Sequence, residues 1–83
     1  MYDQEIKAII ANHKGKMTRI TYDKDCYTIY IDMVYNNTGY KMIIYKETAS
    51  GFFYAQNGTP YDYRRDEKVA DILADVIEMI AGY

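Results

Sequence analysis

The sequence has few of the residues from which catalytic and metal sites are built. Its 83 residues include one cysteine, one histidine and one serine, and tryptophan is absent. A single cysteine excludes an internal disulfide bond and any zinc site built from several thiolates. One histidine and one cysteine are also too few ligands for a specific zinc cage. We therefore predict a protein that is not an enzyme and has no catalytic residue, no metal site and no cofactor.

Motifs that carry chemistry are missing as well. The sequence has no G-x-S-x-G, no G-x-x-x-x-G-K-[ST] phosphate loop and no G-x-G-x-x-G. Cys26 and His13 could form a nucleophile–base pair, but we expect Cys26 to begin a strand and His13 to end a helix, which favours structural roles. Residues 23–25 (Asp-Lys-Asp) begin like a calcium loop but lack its glycine and its final glutamate. Binding of Mg²⁺ or Ca²⁺ by carboxylates alone stays open.

Long hydrophobic runs and a strong charge excess are absent too. No apolar run approaches the ~20 residues of a membrane span, and the first residues are polar and acidic, unlike a signal peptide. We therefore expect a cytoplasmic protein without a membrane partner, folded as one domain over residues 1–83. The net charge of −2 and the isoelectric point near 5.2 argue against a general binder of phosphate backbones.

The chain does contain clear helix-like and strand-like segments. Apolar residues at helical spacing predict a helix at residues 3–13 and a final helix whose apolar stripe runs from Val69 to Ile80. Strands are predicted at residues 16–23, 26–35, 40–47 and 51–56. Short turns between strands favour antiparallel pairing. The predicted fold is α+β: a four-stranded antiparallel meander flanked by an N-terminal and a C-terminal helix (α-β-β-β-β-α), with both helices on one face of the sheet.

Alternation along the second strand assigns its two faces. The side chains expected to face the helices are Tyr27, Ile29, Ile31, Met33 and Tyr35. Those expected to point away are Cys26, Thr28, Tyr30, Asp32 and Val34. The third strand is apolar on both sides, so its orientation stays open. At the helix ends, Asp3 is expected to cap the first helix and Gly15 to follow it, while Gly82 follows the last helix.

The last helix carries four acidic residues along one side, next to its apolar stripe. We call Glu67, Asp71, Asp75 and Glu78 the acidic ridge, and their spacings are four, four and three. Like charges at these spacings destabilise a helix by about 0.2–0.5 kcal/mol per pair, and Glu78 opposes the helix dipole in the last turn. Such a ridge suits a basic partner, but an ordinary solvated face that keeps the protein soluble is the more common explanation.

Tyrosine is unusually frequent, with eleven residues against two phenylalanines. Tyr30 and Asp32 are expected on the sheet face away from the helices. Other tyrosines that could join them, depending on register, are Tyr22, Tyr40, Tyr54, Tyr61 and Tyr63. Exposed tyrosines anchor protein interfaces and can stack on nucleobases; alternatively, they complete a thin core with their hydroxyls in water. As a group they favour an interface.

A basic cluster lies at the start of the last helix and consists of Arg64, Arg65 and Lys68. Backbone N–H groups and the helix dipole would add to an anion site there, which makes the cluster an alternative nucleic-acid-binding site. The interleaved acids that favour local ion pairs instead are Asp62, Asp66 and Glu67. The order of elements resembles that of the double-stranded-RNA-binding domain, α-β-β-β-α, whose basic helix start falls near this cluster. Residues 23–25 replace that family's loop with proline and histidine.

In size, acidity and element order the whole chain resembles the small phage- and plasmid-borne inhibitors of bacterial defence, above all the anti-CRISPR proteins. The resemblance implies a non-enzymatic protein that inhibits or modulates a protein partner, such as a CRISPR effector or another nuclease complex, by covering its nucleic-acid-binding surface. The residues expected to bind this partner are Glu67, Asp71, Asp75, Glu78, Tyr30 and Asp32. The alternatives are a small nucleic-acid-binding module and a structural homodimer joined through its tyrosines.

Overall fold

A computed structural model of the chain describes residues 1–55, 60–61 and 66–82. Two helices flank an antiparallel sheet in the predicted order. The elements are α1 (Asp3–Asn12), β1 (Lys16–Tyr22), β2 (Thr28–Tyr35), β3 (Thr38–Tyr45), β4 (Ser50–Ala55), β5 (Pro60–Tyr61) and α2 (Glu67–Ala81). The α+β fold class and the meander of β1 to β4 are confirmed. The structure adds β5, a two-residue strand that pairs with the outer edge of β4.

The strands follow one another across the sheet in sequence order, β1-β2-β3-β4-β5. Asn36 and Asn37 alone connect β2 to β3, with φ angles of 53° and 60°. Positive φ at both central residues is typical of a type I′ turn, whose twist matches that of the flanking strands. Because two asparagines suffice for the turn, β3 begins at Thr38 rather than at Tyr40 as predicted.

The turn between β1 and β2 is longer than predicted. Asp23 Oδ1 accepts hydrogen bonds from the backbone N–H groups of Tyr27 (3.0 Å) and Thr28 (3.3 Å). These bonds hold the chain in a turn through Cys26, whose φ is 60°. The prediction that Cys26 begins a strand is therefore wrong, and so is the core position of Tyr27, whose exposed fraction is 56%. The strand starts only at Thr28, where pairing with Tyr45 begins.

One hydrophobic core lies between the helices and one face of the sheet. The sheet contributes Ile29, Ile31 and Met33 from β2, all at most 1% exposed. The remaining buried core side chains are Tyr2, Ile6, Ile10, Met42, Ile44, Phe53, Val69, Ile72, Leu73, Val76 and Ile80. Since α1 and α2 share this cluster, both helices lie on the same face, as predicted. The open question about β3 is also answered, because Met42 and Ile44 point into the core.

The start of α1 is fastened to the edge strand β1 rather than capped by Asp3. The Tyr22 hydroxyl donates to Asp3 Oδ1 at 2.7 Å and accepts from the Tyr2 backbone N–H at 3.0 Å. Tyr2 occupies the N-cap position and makes no side-chain cap. The predicted Asp3 cap is therefore wrong: its carboxylate is held by a strand residue instead. Burial raises the pKa of Tyr22 to about 12, with a further contribution from Asp3.

The far end of α1 closes with a turn of left-handed geometry. Lys14 adopts φ 67°, and the Gly15 N–H donates to the Ile10 carbonyl at 2.9 Å. The glycine is needed for space, because a Cβ at this position would meet Ile10 Cγ2 at 2.9 Å. Gly15 therefore follows the helix as predicted, while Lys14 takes the positive φ.

The last helix begins at a side-chain cap and ends without a left-handed residue. Asp66 Oδ1 accepts from the N–H groups of Lys68 (3.1 Å) and Val69 (3.3 Å). Gly82 follows the helix as predicted, but its φ of −76° is right-handed. Within the described ranges, neither helix has the length and hydrophobicity that crossing a membrane requires.

Candidate binding surfaces

The structure keeps the two reactive side chains apart. His13 precedes β1 and Cys26 follows it, and a seven-residue strand spans about 20 Å. His13 Nε2 instead lies 2.6 Å from Asp75 Oδ2, which links the end of α1 to α2. Among the described side chains, no three His, Cys, Asp or Glu residues are grouped so that they could hold a metal ion. His13 and Cys26 therefore do not form a nucleophile–base pair.

All four side chains of the acidic ridge are exposed. Each helical residue advances by about 100°, so the ridge occupies about 80° of the circumference of α2, away from the buried stripe. No basic residue lies in the last turn of α2 to offset the dipole. Of these four residues only Asp75 has an ion-pair partner within the described chain, His13, while Glu67, Asp71 and Glu78 have none there. The ridge therefore presents carboxylates that a partner can reach.

A shallow groove runs between the ends of the two helices beside the ridge. We call it the helix groove; its volume is about 480 Å³, and it is lined by Ile9, Asn12, His13, Asp75, Glu78, Met79 and Gly82. Ile9 and Met79 pack against the core but remain partly exposed. The groove thus combines the carboxylates of Asp75 and Glu78 with the apolar side chains of Ile9 and Met79. Sequence patterning did not identify this groove, because helical periodicity assigns Ile9 and Met79 to helix faces without showing how the two helices meet.

The side of the sheet opposite the helices forms a second surface, the outer face. It is formed by Lys16, Arg19, Thr21, Thr28, Tyr30, Asp32, Val34, Lys41, Ile43, Tyr45 and Phe52. Thr21, Tyr30, Ile43 and Phe52 lie side by side across four strands. The predicted outward orientation of Tyr30 and Asp32 is confirmed. Of the other tyrosines, Tyr22 and Tyr40 pack against the core, while the side chains of Tyr54, Tyr61 and Tyr63 lie outside the described residues.

Cations lie on both sides of Asp32, the one carboxylate among the described side chains of the outer face. Asp32 lies opposite Arg19 on β1 and opposite Lys41 on β3, and Lys41 Nζ is 3.8 Å from Asp32 Oδ1. Arg19, Lys41 and Asp32 line a depression of about 310 Å³ together with Thr21 and Tyr30. Arg19 and Lys41 were not predicted as binding residues. Alternation along β3 places Lys41 on the same face as Ile43, opposite to Met42. The outward position of Lys41 follows once Met42 is known to face the core.

The predicted partner-binding residues do not form one site. The acidic ridge lies on α2, on the helix side of the sheet, whereas Tyr30 and Asp32 lie on the outer face. A flat partner surface cannot contact both. Of the alternative basic cluster, Lys68 is exposed in the first turn of α2, and Arg64 and Arg65 lie outside the described residues.

Comparison with known proteins identified no relative of this chain. No protein-family model, no curated protein and no solved structure matches the chain.

Proposed function

We propose that this domain is a non-enzymatic binding protein that inhibits or modulates a protein partner through the acidic ridge and the helix groove. The observation that carries the proposal is the exposure of Glu67, Asp71 and Glu78 along one side of α2 without a basic neighbour in the last turn. This arrangement costs the helix a few tenths of a kcal/mol per like-charged pair. A basic partner surface would reverse that cost.

The helix groove adds the apolar contact that charges alone lack. Lysine and arginine side chains bury their aliphatic stems on apolar surface while the charged head stays in a polar environment. Ile9 and Met79 provide such a surface, and Asp75 and Glu78 lie at its border. A protein with exposed lysine or arginine side chains therefore fits the groove and the ridge together.

The class of partner that best matches this chemistry is a nuclease with a basic nucleic-acid-binding channel. Phosphate-binding surfaces are rich in exposed lysine and arginine. We propose that the domain covers such a surface on a CRISPR effector or a related nuclease complex, in the manner of the phage inhibitors it resembles. The net charge of only −2 argues against mimicry of a nucleic acid by the whole protein. The proposed contact is therefore confined to the acidic ridge and the helix groove.

The test is inhibition of DNA cleavage by purified, guide-loaded CRISPR nuclease effectors. The informative variant is Asp71→Lys/Glu78→Lys, because Asp75 also bonds to His13 and its replacement would disturb the packing of the helices. The matched control is Asp25→Lys/Glu47→Lys, which changes the net charge equally at two exposed loop residues.

We expect the wild-type chain to inhibit at least one effector at near-equimolar concentration. The ridge variant should require at least about tenfold more protein, equivalent to about 1.4 kcal/mol of binding energy, while the control should behave like the wild type. Equal inhibition by wild type and ridge variant would refute the role of the ridge. No inhibition of any effector would refute the proposed class of partner.

A further inference from the structure

Among the described residues, the outer face has its own partly shielded apolar centre. Ile43 is only 8% exposed but does not belong to the core cluster. Its neighbours Tyr30 on β2 and Phe52 on β4 flank it in the same row, and the rings of Tyr45 and Phe52 stack with centroids 5.9 Å apart. The most exposed apolar side chains here are Tyr30 (38%), Val34 (40%) and Tyr45 (41%).

The charge of the outer face is opposite to that of the acidic ridge. Lys16, Arg19 and Lys41 are exposed there, and Asp32 is the only acidic residue among its described side chains. Of these three cations, only Lys41 has an ion-pair partner among the described residues, Asp32 at the long distance of 3.8 Å. Arg19 has no ion-pair partner within the described residues. The protein therefore has an acidic helix side and a basic, ring-bearing sheet side.

The depression on this face combines a ring with cations on both sides. Tyr30 lines it together with Arg19 from one neighbouring strand and Lys41 from the other. Arg19 and Lys41 lie on the two strands next to that of Tyr30, and adjacent strands are about 4.8 Å apart. One ligand can therefore contact the ring and both cations. Aromatic side chains on a sheet stack on unpaired bases, and neighbouring cations bind the phosphates that link them.

We propose that the outer face binds single-stranded nucleic acid, with a base stacked on Tyr30 and phosphates held by Arg19 and Lys41. The Asp32 carboxylate can accept a hydrogen bond from a base N–H group. An acidic peptide would satisfy the cations but leave the rings without a stacking partner. In a duplex the bases are already stacked and paired. This site goes beyond the proposed function and lies on the other side of the molecule from the ridge, so the two proposals fail independently.

The test is fluorescence anisotropy with labelled dT and rU 12-mers at low salt and at increasing salt. The charge variant is Arg19→Glu/Lys41→Glu, and the matched control is Lys7→Glu/Lys24→Glu, two exposed lysines outside the face. Tyr30→Ala tests stacking separately. Circular dichroism checks folding, and Arg19→Gln/Lys41→Gln replaces the charge variant if that variant does not fold.

We expect the charge variant to bind at least tenfold more weakly than the control. The slope of log K against log salt should fall by about 1.4, as expected for two lost contacts to single-strand phosphates. Tyr30→Ala should weaken binding by roughly 5- to 150-fold, the range of one lost stacking contact.

Four outcomes would overturn the proposal. The first is no binding by the wild type at low salt, and the second is an equal loss in the lysine control, which would indicate unspecific charge attraction. The third is tighter binding of a labelled poly-Glu peptide than of either oligonucleotide, which would assign the face to an acidic protein. The fourth is a concentration-dependent dimer that Tyr30→Ala abolishes, which would assign it to a second copy of the chain.

Discussion

Replacing Tyr22 with phenylalanine removes one hydroxyl that joins the start of α1 to the edge of the sheet. Two hydrogen bonds are lost, one to the Asp3 carboxylate at 2.7 Å and one from the Tyr2 backbone at 3.0 Å. A bond to a charged group contributes about 1.5–3 kcal/mol and a neutral bond about 0.5–1.5 kcal/mol. Since the site is only partly buried, water replaces part of both, and we expect Tyr22→Phe to lower the free energy of unfolding by about 2 kcal/mol.

The same substitution has a distinctive pH dependence. The pKa of Tyr22 is raised to about 12 in the folded protein, against about 10 in an unfolded chain. A raised folded pKa gives stability that is complete below the unfolded pKa and is lost as the pH rises towards the folded pKa. The stability difference between wild type and Tyr22→Phe should therefore shrink from pH 8 to pH 11, by roughly 1 kcal/mol after allowance for solvent screening.

Urea unfolding followed by circular dichroism at pH 8, 10 and 11 measures both effects. At pH 8 the midpoint of Tyr22→Phe should lie roughly 2 M below that of the wild type, for an m-value of about 1 kcal/mol/M. Tyr30→Phe is the matched control, because the Tyr30 hydroxyl makes no hydrogen bond to the described residues. A loss below about 0.5 kcal/mol at pH 8, or a difference that does not change with pH, would refute the assigned role of the Tyr22 hydroxyl.

Three further substitutions test local features by urea or thermal unfolding. Asp66→Ala removes the cap of α2 and should cost about 1 kcal/mol. Gly51→Ala should lower the free energy of unfolding by about 1–3 kcal/mol, because the added Cβ would lie 2.6 Å from the Ile43 carbonyl oxygen. Gly82→Ala should be nearly neutral, since the nearest atom to its added Cβ is 3.5 Å away. Asn37→Gly should stabilise the protein by a few tenths of a kcal/mol, because its φ of 60° suits glycine in a type I′ turn.

Each of these expectations has a clear contrary result. An Asp66→Ala variant as stable as the wild type would show that the cap contributes nothing to α2. Equal effects of Gly51→Ala and Gly82→Ala would show that crowding at β4 is relieved by small shifts. A destabilised Asn37→Gly variant would show that the asparagine side chain, rather than its backbone conformation, supports the turn.

Periodicity was enough to predict the fold class, because apolar spacing along the chain determines which side of each element is buried. It failed where side-chain hydrogen bonds decide the backbone. The alternation of β2 continues backwards through Tyr27, but the backbone N–H groups of Tyr27 and Thr28 donate to the Asp23 side chain. These bonds, with a backbone bond from Cys26 to Asp23, hold a turn where alternation predicts a strand. Asp3 is of a residue type that often caps helices, but its carboxylate bonds to Tyr22, 19 residues away in sequence. Local sequence patterns cannot show such a contact.

The candidate surfaces were predictable only in part, for a related reason. The acidic ridge follows from helical spacing alone, and its exposure is confirmed. The basic character of the outer face depends on a bulge at Thr18, which shifts the pairing between Met17 and Arg19. Because of that shift Lys16 and Arg19, three residues apart, share one face, which strict alternation would not predict. Whether the ridge and the tyrosines form one surface also depended on where α2 packs.

The most direct test of the account is chemical-shift mapping of the ¹⁵N-labelled chain with two probes, a dT 12-mer and an oligo-arginine peptide. We predict two separate sets of shifted amides. The oligonucleotide should affect β1, β2 and β3 around Arg19, Tyr30 and Lys41, and the peptide should affect α2 around Asp71 and Glu78. Overlapping sets, or oligonucleotide shifts centred on α2, would contradict the division of the molecule into an acidic helix side and a basic sheet side.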